Sequence, residues 1–331
     1  MKANLLTAAL LASEGVGQSL GHHGAIALAN DTFFTSANYN QFLTDFAVQF
    51  RDPEDVLGEL DFLFPPRETT PRFTYDTWEE NQAFLLDPDN SDLRAINADF
   101  AQVQQLRTTE VTARTYNKGL SIRIDKDRIG TKGTQWQTDA VGHLKTRLAR
   151  LDHKRGVALI DAAAVSTSYI WDIAAGVDPD MDIDAEARAA SLVTGIRPNS
   201  IYIAEDAWSY RERAYRSQNT AGGNSSAMMT LDGVVTQRML ARGRIGKAKY
   251  ANTSTAKAAF LSGTAYLFHA LDNASFDPVN TVNFWSPCFN GQRFATYITE
   301  RDKYYVVTVE HYSRPTITSS RGIRKLAITN A

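Results

Sequence analysis

Hydrophobic positions along the chain change period from block to block. An amphipathic run at Phe42, Leu43, Phe46, Val48 and Phe50 is followed by a second at Val56, Leu57, Leu60, Phe62, Leu63 and Phe64, and Pro65-Pro66 ends it. Apolar residues three and four apart predict short helices. The stretch before Asn40 is rich in Gly, Ala and Asn. These apolar clusters are too small to close a core alone, so residues 1–66 read as an extended arm with short helices and not as a compact domain.

The next block has strand character. Arg72-Phe73-Thr74-Tyr75-Asp76-Thr77-Trp78 is strand-like in composition. Asp87-Pro88-Asp89-Asn90-Ser91-Asp92 is turn chemistry. The return over 108–116 is β-branched, with charges on one alternating face. This predicts a long two-stranded excursion. An isolated hairpin is marginal in water, so it needs a surface to lie on, either its own body or another subunit.

Leu120, Ile122 and Ile124 alternate with Ser121, Arg123 and Asp125, the pattern of a half-buried strand. Thr138 and Asp139 then offer cap chemistry. Val141, Leu144, Leu148 and Leu151 recur at helical spacing, the stripe resumes at Ala158, Leu159 and Ala162, and Lys145, Arg147, Arg150, Lys154 and Arg155 leave a basic opposite side. A helix over 139–165 spans about 40 Å, the length of a structural spine. The Asp178-Pro179-Asp180 segment introduces another helix, with Ala185, Ala189, Leu192, Val193 and Ile196 on one face, and Gly195 and Pro198 punctuate its end. A strand is predicted over 200–204, then a helix capped by Glu205-Asp206 to about Arg216, a Gly/Asn/Ser-rich loop over 219–226, and a helix over 231–241. Strands are predicted near 247–251, 259–261, 266–268, 304–309 and 323–329. The fold class is α+β, and there is no internal repeat.

Composition narrows the functional classes. The 331 residues are 43% hydrophobic and 22% charged, with a net charge of −2. That balance fits a folded soluble chain of about two domains and excludes affinity for nucleic acid or anionic lipid through bulk charge. The single cysteine, Cys288, excludes an intrachain disulfide framework and any multi-cysteine zinc or iron–sulfur site. No apolar stretch reaches the roughly 18 residues of a membrane span. Lys2 and the run from Leu5 to Ala12 look like a short secretory signal. However, a cut after Ala12 leaves Leu10 where a small residue is needed. The segment reads instead as a short helix or an arm docking on a neighbour, with production in the cytoplasm. Charge is uneven: residues 1–66 hold two basic and eight acidic side chains, so the remainder is net positive.

Motifs for chemistry are sparse. No two histidines have the helical spacing, with an intervening Glu, of a zinc hydrolase, and His22-His23 reads as part of a tail. There is no G-x-S-x-G nucleophile elbow. Gly243-Arg244-Ile245-Gly246-Lys247 lacks the gap and the Ser or Thr of a phosphate loop, and Gly15-Val16-Gly17 meets Leu20 where a dinucleotide fingerprint needs its third Gly. The run Asp178, Asp180, Asp182, Asp184 lacks the Gly and Glu of a calcium loop, having Ile183 and Ala189 there; capping of a helix N-terminus accounts for it. Cys288, between Pro287 and Phe289, reads as packed. Arg238, Arg242, Arg244, Lys247 and Lys249 form a basic cluster, either a contact for phosphate or an acidic partner, or a solvated face. No cofactor, metal or catalytic residue is expected, which shifts weight toward a protein that works through its surface.

The order of elements, together with three stretches, carries a resemblance. Thr194-Gly195-Ile196-Arg197-Pro198-Asn199 ends a helix; Ile201-Tyr202-Ile203, Asp206 and Trp208 follow; then come Gly246 to Thr253 and Ala265-Tyr266-Leu267-Phe268. In this colinear order the chain resembles the major capsid proteins of tailed double-stranded DNA bacteriophages, a fold shared with encapsulins, over roughly residues 40–330. The resemblance implies an N-terminal arm (1–66) reaching over a neighbour and an extended loop (67–119) lying across an adjacent subunit. It implies a peripheral domain with the spine helix (120–177), an axial domain (178–292) and C-terminal peripheral strands (293–331).

By the same resemblance many copies would form hexamers and pentamers of an icosahedral shell around double-stranded DNA held without sequence-specific contacts. Assembly would take place in the host cytoplasm, with a separate scaffolding protein, a portal and a decoration protein as partners and no membrane. Subunit-interface candidates are Phe73, Tyr75, Trp78, Phe84, Arg114 and Tyr116 in the extended loop, with Arg238, Arg242, Arg244, Lys247 and Lys249 near the capsomer centre or a neighbour's acidic surface. Some members crosslink through an extended-loop lysine. Here no lysine lies between Lys2 and Lys118, so no such crosslink is expected. Residues 1–66 are also too short and irregular for the long cleaved assembly domain of other members. An encapsulin-type compartment is one alternative; an α/β enzyme with a carboxylate site near Asp178–Asp184 and a non-capsid structural protein are others.

Overall fold

The computed structural model describes residues 38–77, 99, 109–130, 133, 135–173, 176–251, 253, 255–272 and 279–330. The expected signal-like segment, the 87–92 turn, Trp78 and Phe84 lie outside the described residues.

Asn40 opens the first helix by accepting a hydrogen bond from the Leu43 backbone N–H. α1 (Gln41–Gln49) and α2 (Val56–Leu63) precede β1 (Pro66–Glu68). β2 (Arg72–Thr77) and β3 (Thr109–Arg114) pair antiparallel as the base of the expected excursion. β4 (Tyr116–Asp125) leads through the single-turn α3 (Lys126–Ile129) into α4 (Gln135–Ala163), the spine. The spine has 29 residues and is about 43 Å long. It begins ahead of the expected Thr138–Asp139 cap and stops short of 165, because Val165 opens a strand, β5 (Val165–Ile170).

α5 (Pro179–Thr194) is capped by Asp178 and closed by Gly195 at a φ of 74°. β6 (Ser200–Ala204), α6 (Glu205–Ser217), α7 (Ala221–Ala227) and α8 (Leu231–Gln237) follow. α7 falls in the stretch expected to be a loop, and it forms because Thr220 caps it, accepting from the Gly223 N–H. Then come β7 (Arg242–Gly246), β8 (Lys249–Ala251), β9 (Lys257–Ala259), β10 (Thr264–Phe268), β11 (Thr281–Ser286), β12 (Ala295–Glu300), β13 (Tyr304–Ile317) and β14 (Arg324–Thr329).

One sheet is built on β13. β4 runs antiparallel along one edge, from Tyr116 opposite Ser313 to Asp125 opposite Tyr304. The other edge is shared by β12 and β11, and β1 adds parallel to β11. The second sheet has the order β5-β14-β10-β6-β7. It joins β5 and β14, from segments assigned to the peripheral domain, to β6, β7 and β10, so it crosses the assigned boundaries at 177 and 293.

The spine links both sheets. Trp136, Val141, Leu144 and Leu148 pack with Leu43 and Ala47 of α1 and with Val307 and Val309 of β13. Farther along, Ile160 packs with Leu60, Leu63 and Phe64 and with Ile201, Tyr202, Leu267 and Leu326 of the second sheet. Two expectations are corrected here. The apolar clusters of 41–64, expected in an arm that reaches over a neighbour, pack on their own chain instead, where Leu43, Val56, Leu60, Leu63 and Phe64 are fully buried. And α5 does not bury the face expected. Ile183, Ala187 and Ala190 point inward, whereas Leu192 is 88% exposed.

Candidate functional site

The spine owes its grip on α1 and α2 to small residues one heptad apart. A Cβ at Gly142 would lie 3.2 Å from the Phe50 ring, and one at Gly156 would lie 2.9 Å from Leu60 Cδ1. Between them Ala149 packs on Val56. Gly142, Ala149 and Gly156 therefore form a smooth strip along one face, and residues 50–64 lie in it. Lys145 extends from the same helix and donates to the backbone carbonyls of Val48 and Phe50, where α1 ends and carries the negative end of its dipole.

The acids of this segment find bases on the body. Asp52 accepts from Arg150 at 2.7 Å, Asp55 from Arg244 at 3.1 Å, and Asp61 takes a two-point contact from Arg293 at 2.7 and 2.8 Å. Partly exposed pairs contribute at most about 1 kcal/mol each. Each buried Leu or Phe contributes about 1.5–3 kcal/mol, so apolar burial carries the docking and the ion pairs fix its register. The charge asymmetry between 1–66 and the rest is thus met, for Asp52, Asp55 and Asp61, inside one chain.

Two buried polar clusters sit side by side on the spine. Glu59 of α2 accepts from Tyr202 Oη at 2.7 Å and from the Lys247 backbone N–H at 3.0 Å, and His153 Nε2 lies 3.2 Å from Tyr202 Oη. Burial raises the Glu59 pKa and lowers that of His153 to about 4. The neighbouring Asp152 accepts from Lys118 and Arg155, each at 2.9 Å, and lies 3.1 Å from His311 Nε2. Burial works against the Asp152 charge, but His311 and Lys118 outweigh it and hold the carboxyl well below its usual range. Burial also lowers Lys145 to about 8. These groups knit α2, the spine and both sheets together.

The acidic run at α5 does not converge. Asp178 caps the helix and accepts from Tyr215 Oη at 2.6 Å. Asp180 forms a buried two-point pair with Arg211, Asp182 accepts from Trp171 Nε1, and Asp184 meets Arg188 and Arg197. Each carboxylate has its own partner. Among the described residues no three His, Cys, Asp or Glu side chains gather as a metal site. Cys288 is buried, which pushes its thiol up to about 12.

The interface candidates fall into separate places. Phe73 is buried and Tyr75 half-buried, both against Phe284, with ring centroids 4.4 and 5.5 Å away. The base of the excursion therefore lies on its own body. Tyr116 is exposed between the guanidiniums of Arg114 and Arg314. In the basic cluster Arg242 pairs with Asp272, Arg244 with Asp55, and Lys249 with Glu205. Lys247 is exposed and Arg238 half-buried. Residues outside these interface candidates carry the apolar surface: Ile173, Met228 and Met239 are exposed, as are Val165 and Ile170 on β5, and so are Phe42, Leu151 and Leu159, which the helical spacing places on apolar faces. Periodicity cannot find them, since a period marks an apolar stripe without saying which partner covers it.

No protein-family model and no curated protein matches the chain. Solved structures do. A phage-related protein from Bordetella bronchiseptica superimposes with a TM-score of 0.64 at 13% identity, covering 87% of this chain and 96% of that one. The mature capsid of bacteriophage PhiM1 matches with a TM-score of 0.48 at 10% identity, over 82% and 87%. A putative capsid protein of an Escherichia coli prophage matches at 0.45 and 13% identity, over 88% and 99%.

Proposed function

We propose that this chain, which shares its fold with a phage-related protein, is a tailed-phage-type capsid protein, the subunit of a closed protein shell. The observation that carries the reading is the likeness to the phage-related protein, which runs through nearly the whole of both chains. Copies associate as hexamers and pentamers into an icosahedral container for double-stranded DNA, with a role that is structural and not catalytic. The near-neutral charge suits this task, because a container built to hold DNA site by site would bind it strongly and in a salt-sensitive way. Uncovered apolar side chains such as Ile173, Leu192 and Met228 give copies something to bury. Residues 1–66 act as arm, with 41–64 of it held on the chain's own spine, 67–119 as extended loop, 120–177 with 293–331 as peripheral domain and 178–292 as axial domain, the last two sharing the sheet β5-β14-β10-β6-β7. A scaffolding protein, a portal and a decoration protein are the partners, and the shell is a virion component assembled in the host cytoplasm.

Negative-stain microscopy of the expressed chain, with and without a candidate scaffold, tests the reading. Closed particles of uniform size support it; a chain that remains monomeric in every condition refutes it. Cargo enzyme instead of DNA inside the particles would favour an encapsulin-type compartment. Boiled shells should run as single chains on a denaturing gel, since residues 3–117 hold no lysine amine for a crosslink.

A further inference from the structure

The five cations from Arg238 to Lys249 divide by what they meet. Arg242, Arg244 and Lys249 each have a carboxylate of their own chain. Arg238 has none among the described residues. Its Nη1 donates to Met181 Sδ at 3.5 Å, and its Nε is buried without a partner. A thioether is a weak acceptor, so the guanidinium is left poorly matched. Arg238 stands at the C-terminal end of α8, and Asp232 stands in the first turn of the same helix. Asp232 is exposed, and its carboxylate has no partner among the described residues. The two stand six positions apart, about 9 Å along the helix axis. α8 therefore presents an acid at one end and a base at the other.

Met239 follows directly. Its φ is +56°, in the left-handed region that glycine favours just past a helix. The turn there is closed by the Leu240 N–H on Val235 O at 2.9 Å. A methionine in that position costs backbone strain, and its side chain is 77% exposed. Met181, beside Arg238, is also exposed.

We infer that α8 is a head-to-tail contact between two copies of this chain, with Asp232 of one copy against Arg238 of the next and Met181 and Met239 as the apolar surround. The inference rests on the shell reading and supplies one of its surfaces. Opposite charges at the two ends of one short helix suit a rotational contact, which joins two different patches and closes into a ring. A two-fold contact through either end would set like charge against like.

Charge reversal tests this. Arg238→Glu makes both ends acidic, and Asp232→Arg makes both basic. Each variant alone repels itself, so the concentration needed for particles, read by light scattering and microscopy, rises at least about tenfold. Mixed in equal amounts, the two alternate around a hexamer but leave one like-charged junction in each pentamer, so the mixture assembles better than either variant alone without reaching wild type. The double variant, which restores an opposite pair at every junction, recovers to within about threefold of wild type. Met239→Gly raises the subunit's melting temperature yet weakens assembly. Circular dichroism checks that each variant folds; if a reversal does not, Arg238→Gln and Asp232→Asn take its place and each weakens assembly. Single reversals that assemble like wild type, or a mixture as defective as its components, overturn the contact. A wild-type chain that never forms closed particles overturns the shell reading instead; small oligomers of it that ignore both reversals overturn the contact as well.

Discussion

Acid should loosen α2 from the spine, and His153 is the reason. The imidazole is fully buried, packed edge-on to Phe260, with Nε2 near Tyr202 Oη and Nδ1 without a partner. Tyr202 donates its own proton to Glu59, so Nε2–H donates to the tyrosine oxygen and Nδ1 is left as a bare lone pair. Protonation would put an N–H on Nδ1 with nothing to accept it. Burial, helped by the charge of Arg244, therefore holds the pKa at about 4, against about 6.5 in an unfolded chain. Between those values the unfolded state binds more protons, so stability falls as pH falls through the window. A shift of that size is worth about 3 kcal/mol once the pH reaches 4. His311, also lowered by burial, adds to the loss. Glu59, raised by burial, opposes it, because its proton is held more tightly in the folded state. Urea denaturation of the dissociated subunit, wild type against His153→Phe, isolates the contribution. At pH 7 the variant should be less stable by about 1 kcal/mol, having lost one hydrogen bond to Tyr202. At pH 4.5 it should be more stable than wild type by about 1–2 kcal/mol. Stability curves that run parallel from pH 7 to 4.5 would refute the account.

Gly156→Val should push Leu60 and Phe64 out of the spine strip and cost about 1–3 kcal/mol, with protease cleavage appearing first within 50–64. Arg211→Met leaves Asp180 buried without its partner and should cost about 3–5 kcal/mol in urea melts; replacing Asp180 by Leu as well should recover part of that. Cys288 should resist a thiol reagent at pH 8 in the folded chain and react at once in urea, because burial raises its pKa to about 12. Fast labelling of the native protein would contradict its placement.

Much of the fold was legible because local signals agreed. The strand over 200–204 and the helix after it lie where the pattern put them, although Glu205 and Asp206 stand in the helix's first turn and do not cap it, the N-cap being Ala204 with no side-chain bond. The apolar spacing of the spine is a helix as expected. The α+β fold class expected is the one observed, and the fold is shared with a phage-related protein. Misses have physical causes. β13 continues past Val309 because the sheet buries Glu310, His311 and Ser313, each matched to a polar neighbour such as Tyr297, Asp152 or Lys118. A hydrophobic period cannot see buried polar residues. α7 was hidden by Gly222, Gly223 and Asn224, which have low helix propensity, and it stands on a threonine cap. The strip of Gly142, Ala149 and Gly156 was readable as heptad spacing, but what fills it comes from about ninety residues away. Among the interface candidates, Phe73 and Tyr75 were legible as apolar strand residues, yet only the fold places Phe284 beneath them.

The placement of residues 41–77 changes what assembly has to supply. An arm and hairpin without apolar company would force copies together simply to bury them. Instead Leu43, Val56, Leu60 and Phe64 are buried on the spine, and Phe73 rests on Phe284. On the proposed shell reading, the drive for association would therefore come from side chains facing outward: Leu192 on α5, Ile173 after β5, and Met228 and Met239 flanking α8. Exposed side chains of this kind are scattered and individually small, so on that reading each junction would be weak and reversible, and a closed shell would gain its stability from many of them at once. Weak junctions let misplaced subunits leave, and charged pairs that fit in only one register bias which junctions survive. A subunit whose described segments bury a hydrophobic core within the one chain would thus suit the building of a regular shell better than one that must associate in order to fold.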